Sequence, residues 1–280
     1  MLVNMLFIIQ LISSFLVGGG MVALLSFIAE RVHKNISGII LAFPTTLALG
    51  FFFLGWVTSS EEVASIVPTI LFPLGLSVLF VMTYSYLAFF LRVKIQDKIF
   101  QIVCTLFFNT IVWFTLTVLI INLEITSLLF GSIFYLFLVI VSHKLLHLKN
   151  FYKPVSIKYT SKQRLIRMIS AGFVLLIVVL FAKILGPVWG GVLALFPIAF
   201  SIMMVIIHYQ YGVTALFPSM QKAPLGSFSL FFYAITAMLV FPSVGFIIGT
   251  IISYLVSIIV TIILVYIQKI INKTRYVGDQ

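Results

Sequence analysis

Acid–base and metal chemistry need titratable side chains held close together, and this chain is short of them. Its six acidic residues are Glu30, Glu61, Glu62, Asp97, Glu124 and Asp279. Each falls in a loop, at the end of an apolar run or in the tail. None is placed inside an apolar run to carry a proton or hold sodium, which argues against a carboxylate-driven antiporter. His143 and His147 lie four residues apart, the spacing of two metal ligands on one helical face. HKLLH, however, has no adjacent glutamate to act as a base and no acidic third ligand nearby. A snorkelling interfacial pair is the expected role, with no metal. EEVASI, residues 61–66, offers paired carboxylates without a following basic partner. There is no Gly-x-Ser-x-Gly elbow and no phosphate-binding Gly-Lys loop, so no catalytic residue and no cofactor is expected. Cys104 is the only cysteine, which excludes an intrachain disulfide or a cysteine metal site.

The more informative residues are Pro44, Thr45 and Thr46 in LAFPTTLALG, residues 41–50. Proline inside a helix removes one hydrogen bond and clashes with the carbonyl four residues back, here that of Ile40. The two threonines can satisfy freed backbone groups or present hydroxyls to a ligand. The bland alternative is a kink tolerated by packing.

These residues need elements to hold them, and composition says which. Of 280 residues, 62% are hydrophobic and 8% charged, with a mean hydropathy of +1.27. Apolar runs of about 20 residues recur from end to end, the length of a membrane-spanning helix. The expected fold class is an all-α polytopic membrane protein. Spans are expected near 4–28, 37–57, 65–92, 99–122, 126–146, 165–185, 188–209, 224–241 and 245–269. MLVNMLFIIQ has no Lys or Arg ahead of its apolar stretch, so the first span is expected to be retained. With nine spans, sixteen of the seventeen Lys and Arg residues fall on one side and only Lys183 on the other. The positive-inside rule then puts the N-terminus outside and the C-terminus in the cytoplasm of a cell (inner) membrane. The same rule accounts for the net charge of +11 without nucleic acid. Residues 143–167 hold seven Lys/Arg and no acid. They orient the protein and suit anionic lipid headgroups, each basic residue contributing about 1 kcal/mol near the surface.

An internal repeat is visible. SGIILAFPTT (37–46) aligns with GGVLALFPIA (190–199), which pairs Pro44 with Pro197 at an offset of 153 and Gly38 with Gly191. FPLG (72–75) aligns with APLG (223–226), and Pro68 with Pro218. Five spans separate equivalent helices, so the two units must be inverted in the membrane. The expected organisation is a first four-helix repeat at 1–123, a linker helix with its basic loop at 124–164, and a second four-helix repeat with a tail at 165–280. Residues 29–67, AERVHKNISGIILAFPTTLALGFFFLGWVTSSEEVASIV, resemble the core of the GlpM-like family of small bacterial inner-membrane proteins. The likeness lies in a short basic loop, Ser37-Gly38, an apolar-Phe-Pro-Thr run and an acidic turn. The second half keeps Gly191, Phe196 and Pro197 but has Ile198 and Ala199 in place of the threonines. The resemblance implies two family-length units joined through an extra span, and it implies no activity.

Inverted repeats with broken midplane helices are a hallmark of secondary transporters. The expected function is a transporter or flippase of a small or amphiphilic substrate, with its path between the second and seventh helices. Pro44, Thr45, Thr46 and Pro197 would line that path, with Gly38 and Gly191 permitting close approach. Asn109 is a further polar candidate, beside Gln10, Ser13, Ser14, Ser85 and Tyr233. Glu30 and Lys183 occupy equivalent repeat positions near opposite faces and are gate candidates, as is His208 beside Tyr209 and Tyr211; charges and aromatics at helix ends also serve simply as interfacial anchors. GGG (18–20), GPVWG (186–190) and GFIIG (245–249) are read as close-packing sites. The rival expectation is a non-transporting scaffold or accessory subunit of an envelope-assembly complex. A homo-oligomer stays open.

Overall fold

The computed structural model describes residues 5–31, 44–148 and 160–278. All regular structure among them is helical: α1 (Met5–Arg31), α2 (Thr45–Val57), α3 (Ser60–Lys94), α4 (Lys98–Ile121), α5 (Leu128–His147), α6 (Ser161–Leu185), α7 (Pro187–Ala194), α8 (Ile198–Tyr211), a 3₁₀ turn (Val213–Ala215), α9 (Leu216–Met220), α10 (Ala223–Gly226) and α11 (Phe228–Gly278). Among the described residues, seven stretches are long and apolar enough to cross a membrane, and α2 is a shorter apolar helix. The chain is a multi-pass membrane protein. Gly38, residues 149–159 of the basic segment and residues 37–43 of the expected 37–57 span fall outside the described residues.

The helix starts use the few polar residues available. Ser59 caps α3 by accepting from the Glu62 amide at 3.1 Å, and Glu61 and Glu62 sit in that first turn. Negative charge there complements the helix dipole, which gives the EEVASI carboxylates an ordinary structural use. Asp97 caps α4, accepting from Phe100 N at 2.6 Å. Thr160 and Gln163 form a reciprocal capping box on α6.

Helix α3 is the axis of the bundle. It is almost wholly enclosed, with α5, α4, α11 and α7 around it. Its Pro68 and Pro73 are tolerated because neighbours close over them: a Cβ on Gly131 of α5 would press on the Pro68 carbonyl. The outward faces of α1, α4, α5, α6 and α11 are covered by exposed side chains such as Leu16, Phe107, Phe137, Phe173 and Ile251. That inside-out surface is what lipid solvates.

The most extensive helix pair is α1 with α6. Its contact is reciprocal. A Cβ on Gly19 would meet the Met168 carbonyl at 2.8 Å, and one on Gly172 would meet the Phe15 carbonyl at 2.5 Å. Glycine lets the two backbones touch, the usual device where helices pack without a hydrophobic driving force.

Two sharp reversals shape the second half. Gly186 (φ 92°, ψ 170°) and Gly245 (φ 76°, ψ 167°) adopt a conformation essentially reserved for glycine. At each, the residue four before meets a glycine four after: Ala182 against Gly190, and Phe241 against Gly249. Residues eight apart in a straight helix are separated by about 12 Å, so α6–α7 and the two arms of α11 are both helical hairpins. The GPVWG and GFIIG runs thus divide their labour, the first glycine turning and the second packing.

Candidate functional site

The helix around Pro197 is broken rather than kinked. The last amides of α7 tighten to three-residue bonds, Leu195 N to Val192 O at 3.0 Å and Phe196 N to Leu193 O at 3.1 Å. The chain then turns, and α8 restarts with Pro197 as its N-cap at φ −78°, ψ 52°. Pro44 caps α2 in the same way, at φ −77°, ψ 44°. Each proline carbonyl accepts the first four-residue hydrogen bond of its new helix at 2.8 Å, from the amides of Ala48 and Ser201. Proline suits this position because its φ is already set and a helix start needs no N–H from it.

The two proline caps lie together. Gly50 of α2 approaches Ala194 of α7, and Leu54 approaches Gly190, so the helices run antiparallel with Pro44 and Pro197 at the same end of the pair. That contact is tight, and both prolines are buried. The two helices are thus in direct contact where the sequence reading expects a path between them.

A polar network holds the second break. The Ser77 hydroxyl of α3 donates to the Leu195 carbonyl at 2.6 Å, which the break leaves without a helical partner, and also reaches Pro73 O at 2.9 Å. It accepts the indole N–H of Trp113 at 3.2 Å. The Phe196 ring stands edge-on to Trp113 and Phe80, with centroids 5.3 and 6.2 Å apart. Beside Phe196 a cavity of about 440 Å³ opens between α4 and α6, lined almost entirely by carbon.

Among the expected site residues, Thr45 is buried and shares a hydrogen bond with the Tyr254 hydroxyl at 3.3 Å, while Thr46 is half-buried beside it. Gly191 is buried where a Cβ would press on Ile66 of α3. Asn109 is buried and uses its amide between α3 and α4: Nδ2 donates to Phe80 O at 3.0 Å, and Oδ1 accepts from Thr83 at 2.6 Å. Lys183 is exposed at the far end of α6. Glu30 ends α1, and its side chain lies outside the described residues. His208 is fully buried, unlike its exposed neighbours Tyr209 and Tyr211, with Nδ1 3.3 Å from the Tyr84 hydroxyl. The sequence reading places it with an interfacial belt; tertiary packing puts it against the core helix instead.

No protein-family model, curated protein or solved structure matches this chain.

Sequence reasoning missed Ser77, Trp113, Tyr84 and Tyr254. Asn109 was named from the sequence, but the two buried polar rows were not: Gln101 and Thr105 with Asn109 on α4, and Ser253, Ser257 and Thr261 on α11. A signal for the rows exists: the steps of four recur at an offset of 152 residues, within two of the Pro44–Pro197 offset.

Proposed function

We propose that this chain is a transporter or flippase of a small or amphiphilic substrate, built from two inverted four-helix repeats and working at its paired helix breaks. The carrying observation is the matched capping of α2 by Pro44 and of α8 by Pro197, two repeat-equivalent prolines brought to one end of the α2–α7 pair. Discontinuous helices in corresponding positions of two halves are the strongest pointer to a transport site. The α1–α6 contact supports the repeat. Phe15 and Met168 are 153 residues apart, as are Gly19 and Gly172, so each glycine meets the other's partner, the pattern a two-fold axis produces. The polar rows on α4 and α11 support it again.

In this reading the chain has nine spans, with α11 counted as two that meet at Gly245 and α2 assigned to the span expected at 37–57. The N-terminus is outside and the C-terminus cytoplasmic, in a bacterial inner membrane as the GlpM-like resemblance suggests. The basic residues of 143–167 sit among anionic headgroups, and the chain is no enzyme. The close fit of α2 on α7 favours a second reading, a solid scaffold, unless that pair separates during a transport cycle.

Flux of a fluorescent phospholipid across liposomes carrying purified protein tests the proposal. Pro44→Ala and Pro197→Ala should each abolish flux while leaving thermal unfolding near wild type. Flux unchanged in both variants, or absent from the wild type, hands the case to the scaffold.

A further inference from the structure

We infer, taking the Pro197 break as the functional centre proposed above, that the cavity beside Phe196 is a side-entry binding site for one hydrocarbon chain of a membrane amphiphile. Its walls are Ile111 and Phe114 of α4 and Val174 and Ile177 of α6, and its back is Leu193 and Phe196. Helices α4 and α6 share no substantial contact, so the space is a slot between two spans rather than a flaw inside one interface. It opens sideways: Ile111 and Phe114 are 44% and 46% exposed on the lipid-facing surface. The wall residues sit near the middle of α4 and α6, at the depth of the hydrocarbon core.

The lining decides the occupant. At about 440 Å³ the volume is that of a small-ligand pocket, far beyond the voids that native packing leaves. An apolar cavity does not hold water, and an empty one forfeits dispersion contacts along every wall. Trp113 offers no free donor because Ser77 takes its N–H, so the inner end presents ring faces and methyl groups. Only Thr110 and Thr115 bring hydroxyls to the lining. A hydrocarbon chain fits, and a charged headgroup does not. The chain tip rests on Phe196, one residue from the break, so occupancy bears directly on the break's geometry.

Bromine quenching of tryptophan tests this. A protein with Trp113 as its only tryptophan (Trp56→Phe, Trp189→Phe) is placed in phosphatidylcholine vesicles with dibrominated acyl chains. A second protein, with Trp113→Phe added and Phe137→Trp on the lipid-exposed face of α5, reports surrounding lipid. Trp113 should be quenched although it is 3% exposed. Val174→Phe or Leu193→Phe, filling the slot from different walls, should remove most of that quenching and leave the Phe137→Trp reporter unchanged. If one filling variant fails to fold, the other carries the test. Dibromostearic acid in unbrominated vesicles separates a free acid from a phospholipid chain, and quenching of Trp113 by either supports the site. No quenching of Trp113 by either, or quenching that persists in the filled variants, overturns it. Flux is measured separately: quenching without flux refutes only the transport proposal, and flux without quenching refutes only this site.

Discussion

At the scale of single residues, Ser77 ties the break to its neighbours. Its hydroxyl is the donor for Leu195 O at the break and the acceptor for Trp113, joining three helical segments through one atom. Ser77→Ala leaves a buried carbonyl and a buried indole N–H unsatisfied together. A loss of about 1–2 kcal/mol is expected, since unsatisfied buried groups are costly but interhelical hydrogen bonds in membranes are individually modest. Ser85 makes a useful control: it is also buried, but its hydroxyl bonds only to Val81 O in its own helix. Ser85→Ala should be close to neutral. Thermal unfolding of the two variants in detergent checks the difference, and equal losses would mean that Ser77 does not hold the break.

At the scale of elements, the glycines divide by what surrounds them. Gly19 lies against the Met168 backbone, whereas a Cβ on Gly20 would meet nothing. Gly19→Ala should therefore lower the unfolding temperature by separating α1 from α6. Gly20→Ala should leave it unchanged or raise it, because alanine is the better helix former by up to about 1 kcal/mol. A different logic holds at Gly245, where nothing crowds a side chain but φ is 76°. Gly245→Ala should cost about 1–3 kcal/mol through backbone strain alone. Relief of that loss by pairing it with a smaller residue at Phe241 would point to crowding instead of strain. The scale of the element also explains why proline is harmless at positions 44 and 197. Each begins a helix there, so no intrahelical bond is lost.

For the molecule as a whole, topology is the testable quantity. In a Cys104→Ser background, a cysteine at Ser60, in the first turn of α3, should react with an impermeant thiol reagent from outside. A cysteine at Ser156 should react only after the membrane is opened. Labelling of both from the same side would remove the odd number of spans between them, and the inverted repeat with it. The reverse pattern would keep the repeat and flip the protein.

Local composition and spacing were enough to read an all-helical membrane protein from this sequence. Hydrophobic runs, short polar breaks and paired prolines are properties of neighbouring residues, and the bilayer leaves helices as the outcome for such runs. The same locality explains Pro44 and Pro197 as special positions, and GPVWG and GFIIG as unusual ones. Tertiary structure decided what those features do. Whether a proline kinks or breaks a helix depends on a donor such as Ser77, arriving from 118 residues away to satisfy the freed carbonyl. Whether a glycine turns or packs depends on what stands opposite its missing side chain, and His208 is a core residue only because Tyr84 lies against it. The slot beside Phe196 exists because α4 and α6 pass without substantial contact, a relation between distant segments that no local pattern encodes.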